Sequence, residues 1–141
     1  MTSTQSPNSP DLRVVVGLDG SETGQQALDW AVAEADRVGA VLEIHTAYKP
    51  GYEFATPRGI QRSMERTIEA ATARVSELAP GVSATAQTHE QSAASALIES
   101  SQGARLLVVG TRGLGGFKGL LLGSVIQQCA VHAACPVALV R

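Results

Sequence analysis

Two glycine-rich stretches carry the residues whose types and spacing could do chemistry. One is Gly17-Leu18-Asp19-Gly20-Ser21. The other runs from Gly110 through Thr111, Arg112, Gly113, Gly115, Gly116, Lys118 and Gly119, and reaches Gly123-Ser124 after three leucines. Glycine lets backbone N–H groups come close to an anion, and the free amides at a following helix start add a favourable dipole. The chemistry such a loop offers is phosphate binding. Arg112 and Lys118 could bring charge to it, and Ser124 a hydroxyl donor.

Two common nucleotide fingerprints do not fit. A P-loop needs Gly-Lys followed by Ser or Thr, whereas Lys118 is followed by Gly119. A dinucleotide-binding loop counted from Gly113 and Gly115 needs glycine where Lys118 stands, and normally follows the first strand. Asp19 has a simple structural reading, a cap beside Ser21 for the first helix.

The elements that must position these loops follow from the hydrophobic pattern. Leu12 to Leu18 is a nearly continuous valine-rich run, the mark of a strand buried on both faces. Ala27, Leu28, Ala31, Val32, Ala35 and Val38 recur at helical spacing until Gly39 stops them. A strand at Val41 to Ala47, a loop from Lys49 to Arg58 and a helix with Ile60, Met64, Ile68, Ala71, Val75 and Leu78 on one face come next. Val82, Ala84 and Ala86 alternate with polar residues and predict a third strand near a sheet edge, with His89 beyond it. Ser92 opens a short helix, Arg105 to Val109 is another buried strand, a helix runs from about Ser124 to Ala133, and Pro136 to Val140 is the last strand. Strict β-α alternation predicts a parallel sheet with helices on both faces, and ligands bind beyond the carboxyl ends of such strands.

Composition narrows the classes. The 141 residues carry 11 Lys+Arg against 13 Asp+Glu, a formal charge of −2, which disfavours nucleic acid or an anionic membrane as partner. With 44% hydrophobic residues there is ample material for a core, while 4% aromatics are too few for a base-stacking platform or a ring-walled flavin pocket. Two cysteines cannot staple a secreted domain, and the start MTSTQSPNSP lacks a basic n-region and an apolar h-region. The expectation is a cytoplasmic chain with a disordered tail at 1–11 and one domain at 12–141.

Gly110, Gly113, Gly123 and Ser124 fill the pattern Gly-x2-Gly-x9-Gly-Ser. Together with Asp19 after the first strand and the closing Cys135-Pro136-Val137-Ala138-Leu139-Val140-Arg141, this resembles the ATP-binding branch of the universal stress protein family from about residue 12 to 141. The resemblance implies a single three-layer α/β/α domain, Rossmann-like, with an open five-stranded parallel sheet in the order 3-2-1-4-5. It also implies that Gly17, Leu18, Asp19 and the backbone at Thr46 meet the nucleoside. Val109, Gly110, Gly113, Gly123, Ser124 and Val125 would line the ribose and phosphates. ATP with Mg²⁺ is the implied ligand, Asp19 the possible metal contact, and a homodimer through Pro136 to Val140 the implied assembly. One departure is Ile126, where members often have a hydroxyl; it leaves AMP and cyclic AMP open.

Other readings are weaker. Cys129, His132 and Cys135 are spaced by three, but no fourth ligand lies nearby in sequence, so buried thiols and a surface histidine are the simpler reading. His45 and His89 lack a Ser or Cys nucleophile at a recognisable elbow. Arg62, Arg66 and Arg74 interleave with Glu65, Glu69 and Glu77 as on a solvated helix face. Ser21 to Gly24 faintly echoes a flavin phosphate loop, and a phosphoacceptor domain would want Asp where Thr88-His89-Glu90 stand. A ligand-independent dimeric module is the competing class. Hydrolysis, if any, is expected to be slow, since no arginine finger or positioned base is apparent.

Overall fold

Three consecutive valines, Val14, Val15 and Val16, are all fully buried, which requires a strand covered on both faces. In the computed structural model that strand, β1 (Arg13–Gly17), is the centre of a five-stranded sheet. The structure describes residues 12–19, 22–48, 56–111 and 123–141. The other elements are α1 (Glu22–Val38), β2 (Val41–Tyr48), α2 (Pro57–Leu78), β3 (Ala84–Glu90), α3 (Ala93–Ser100), β4 (Leu106–Gly110), α4 (Ser124–His132) and β5 (Val137–Val140). All pairings are parallel and the order is β3-β2-β1-β4-β5, as expected.

Alternation along the strands divides the core in two. Val14, Val16, Leu42, Ile44 and Val108 face α1 and α2, meeting Ala27, Leu28, Ala31, Val32, Ala71 and Val75. Val15, Leu107 and Val109 face α3 and α4, meeting Leu97, Ile126 and Cys129. Gly39 ends α1 at φ 73°, a left-handed conformation that costs glycine least, and the next amide, Ala40, bonds back to Ala35.

Three expectations need correction. Pro57 and Arg58 are not loop: Pro57 occupies the first turn of α2, where its missing N–H costs nothing, and the Thr56 hydroxyl caps Gly59 N–H. His89 does not follow the third strand but lies within it, because β3 starts at Ala84 and runs to Glu90. Arg74 is not merely a solvated charge, since it clamps Asp29 of α1 with two bonds of 3.0 and 2.9 Å. The expected tail at 1–11, Gly20 and Ser21, Arg112, Gly113 and Lys118 lie outside the described residues. Among the described residues no helix is long and apolar enough to cross a membrane.

Candidate functional site

Parallel strands in the order 3-2-1-4-5 send β1 to helices on one side and β4 to helices on the other, which opens a crevice at their carboxyl ends. A cavity of about 260 Å³ occupies that place. Gly17, Leu18 and Asp19 form one wall as β1 ends, and Gly24 follows from the first turns of α1. His45, Thr46 and Ala47 come from the end of β2, Val109 and Gly110 from the end of β4. Ala93, Ala96 and Leu97 of α3 and Val125 and Ile126 of α4 complete it.

Seven of the residues singled out in the sequence therefore line one cavity: Gly17, Leu18, Asp19, Thr46, Val109, Gly110 and Val125. Gly123 and Ser124 stand at the adjoining start of α4. Gly123 has no side chain to cap that helix, and the first intrahelical bond is Gln127 N–H to Gly123 C=O at 3.0 Å. The amides of Ser124, Val125 and Ile126 precede that bond and have no intrahelical acceptor, the arrangement that attracts an anion.

The backbone is fixed on each side of the crevice. Leu18 N–H donates to the carbonyl of His45 at 2.9 Å, so the loop leaving β1 is fastened to β2. Thr111 N–H donates to Val140 C=O at 2.8 Å, which fastens the chain leaving β4 to β5. Thr46 is buried, with its hydroxyl 3.3 Å from that of Thr88. A smaller cavity of about 130 Å³ continues past Leu18, Asp19 and Thr46 to Ser63 and Met64 of α2.

Sequence reasoning missed the polar cluster beside the cavity. Arg13 Nη1 meets Glu43 Oε1 at 2.8 Å, the same oxygen lies 3.0 Å from His45 Nε2, and His45 Nδ1 lies 2.7 Å from His89 Nε2. Burial pushes the His45 imidazole below its ordinary pKa of 6.5, against the pull of Glu43. For Glu43 burial acts upward, but hydrogen bonds from His45 and Arg13 outweigh it and hold the carboxyl below its ordinary range. The period-two pattern places Glu43, His45 and Ala47 on one strand face, a usable signal; the pairing of Ala47 with His89 depends on register. Ser100 Oγ lies 3.3 Å from His45 Nδ1, yet its proton goes to Ala96 C=O at 2.7 Å, so it is not an activated nucleophile. Cys129 is fully buried, Cys135 is half-buried, and burial raises both thiols.

A model of the Universal stress protein family matches residues 12–141. The chain belongs to the universal stress protein family. One relative is a universal stress protein of Thermus aquaticus, 33% identical over 133 residues that cover 91% of this chain and 97% of that one. Universal stress protein Rv2623 of Mycobacterium tuberculosis is 31% identical over 142 residues, covering 96% of this chain; the chain spans about half of it, 47%. Among solved structures, a universal stress protein in complex with cAMP superposes with a TM-score of 0.75 at 29% identity, covering 92% of this chain and 97% of that one. UspA from Lactobacillus plantarum, at 20% identity, shares the fold with a TM-score of 0.74 over 95% of this chain and 100% of that one.

Proposed function

We propose that this universal stress protein binds an adenine nucleotide across the carboxyl ends of β1, β2 and β4, with ATP as the first candidate, and acts as a dimeric regulator rather than by turnover. The observation that carries this reading is the convergence of Gly17, Leu18, Asp19, Thr46, Val109, Gly110 and Val125 on one cavity beside the uncapped start of α4. The base would stack against Leu97 and meet the backbone at Thr46. Asp19, exposed at the cavity, suits a ribose hydroxyl or the Mg²⁺ that accompanies the phosphates. Bound Mg²⁺ would offset phosphate charge. Gly110, Gly113 and Gly123 would let the backbone approach the phosphates, with Ser124 donating its hydroxyl and Arg112 adding charge.

A specific observation favours a second ligand. Ile126 is buried and lines the cavity where a hydroxyl would help hold a further phosphate. AMP or cyclic AMP asks less of that position, and the solved relative bound to cAMP is 29% identical.

The donor set in this reading supports regulation with at most slow hydrolysis: backbone amides and a hydroxyl stabilise a bound phosphate, while phosphoryl transfer also needs a positioned base and charge at the transition state. The dimer would form through β5, an edge strand whose Leu139 is 41% exposed. The family points to a stress-response role in the cytoplasm. Calorimetry of the wild-type chain and Gly113→Ala with ATP, AMP and cyclic AMP, with and without Mg²⁺, tests the proposal. Wild type is expected to bind at least one of them, and the added β-carbon to weaken binding about tenfold or more where backbone must approach phosphate. Equal affinity in the two proteins would remove the phosphate loop from the site.

A further inference from the structure

The His45–His89 pair is a half-buried contact that can hold one added proton and no more. Glu43 Oε1 only accepts, so His45 Nε2, 3.0 Å away, carries a hydrogen. A neutral His45 then presents a bare Nδ1, and at 2.7 Å its partner His89 Nε2 must be the donor. Ser100 cannot take that place, because its hydroxyl donates to Ala96 C=O. The rings are stacked 5.0 Å apart at 21°. The contact accommodates one added proton, either on His89 Nδ1 outside it or on His45 Nδ1 with the His89 hydrogen moved to its own Nδ1, since the roles depend on the tautomer. A second would set two N–H groups head-on.

From this geometry we infer that the pair is a proton-operated control on the cavity, closed around ligand while the two rings share at most one added proton and loosened when both are protonated. It rests on the nucleotide reading for the identity of the ligand. Its connection to the cavity is direct: His45 lines it, and the His45 carbonyl holds Leu18 N–H of the adjoining loop, which also lines it. Separating the two rings moves either β2 at its carboxyl end or β3, which is an edge strand and has a single neighbour.

The surrounding charges do not rescue a second proton. On β2, Glu43 is the nearest carboxylate, but its Oε1 is already shared with Arg13 of β1, whose own charge opposes another cation. On β3 the facing group is His89 itself. On α3 the facing group is the Ser100 hydroxyl, which does not titrate, while Glu99 is exposed and bonded to Gln91. Asp19 lines the same cavity and is exposed, so water screens it. Burial already disfavours charge on His45. His89 is half-buried and gives protons a route in.

The test compares the wild-type chain with His89→Gln and with His132→Gln, a change at an exposed histidine on α4. In His89→Gln the new carboxamide can donate to a neutral His45 or, when turned over, accept from a protonated one, so the conflict disappears without an unpaired group. Affinities for ATP and cyclic AMP are measured at pH 7.5 and 5.5. Wild type and His132→Gln are expected to lose about fivefold or more on acidification, within the tenfold per pH unit that one linked proton allows, and His89→Gln less than about twofold. Any protonation of the ligand itself cancels between variants. The same pH dependence in wild type and His89→Gln overturns the inference and leaves the nucleotide reading standing. A second measurement needs no nucleotide: in ¹H–¹⁵N spectra of the free chain, the Leu18 amide is expected to follow the later of the two ring titrations in wild type and to lose that dependence in His89→Gln. A Leu18 resonance indifferent to that protonation overturns the control even if no nucleotide binds.

Discussion

Leu97 of α3 packs where a side chain on Gly17 would begin: a β-carbon at Gly17 would lie 2.8 Å from Leu97 Cδ1 and 2.9 Å from Cδ2. Both residues line the cavity, so the close approach of helix to strand shapes its wall. Gly17→Ala should therefore push Leu97 aside, costing about 1–3 kcal/mol of stability as overpacking does. Nucleotide affinity should fall as well. A double-mutant cycle with Leu97→Ala checks the cause: the two losses should combine less than additively, whereas strict additivity would mean the clash is not the source.

Acid should destabilise the fold in a predictable window. His45 has a folded pKa below 6.5, so between that lower value and 6.5 the unfolded chain binds more protons, and stability falls as pH drops. Glu43, depressed below 4.5, adds a loss at lower pH as its carboxylate protonates. Urea unfolding of wild type at pH 7.5, 6.5 and 5.5 should show a decline that flattens in His45→Gln. An equal decline in both would place the acid sensitivity elsewhere.

The start of α3 depends on one hydroxyl. Ser92 Oγ accepts from Ser95 N–H at 3.2 Å, satisfying an amide that the helix itself cannot. Ser92→Ala should cost about 0.5–2 kcal/mol in denaturant unfolding, and Ser92→Asp, which restores an acceptor, should recover most of it.

How much was legible in the sequence differs between elements. The buried strands and α1 were, because Val14 to Val16 and the Ala27 to Val38 spacing satisfy only one period each. Of the seven cavity residues, Gly17 to Asp19 and Gly110 were legible from the loop pattern, whereas Thr46, Val109 and Val125 came only through the resemblance to the family. Leu97 was not: an isolated leucine on a short helix looks like any core residue until the fold brings it over Gly17. Likewise His45 and His89 are 44 residues apart, and only the β2–β3 register makes them partners. Arg74 looked solvated because local spacing with Glu77 is visible in sequence, while Asp29 on α1 is not.

If β5 pairs with its copy, a charge at its exposed position should separate the subunits. Leu139→Glu adds a carboxylate to a short apolar edge, the means by which proteins protect such edges from pairing. Sedimentation at micromolar concentration should show a dimer for wild type and a monomer for the variant, both folded by circular dichroism. A wild-type monomer would contradict the assembly.

Chemical-shift mapping of the labelled chain on addition of ATP tests the location of the site most directly, with cyclic AMP as a second titrant. The account predicts that the largest amide shifts fall on Gly17, Leu18, Asp19, Gly110, Ser124 and Val125, and that α2 beyond Ala71 stays unmoved. Shifts concentrated elsewhere, or none with either nucleotide, would contradict it.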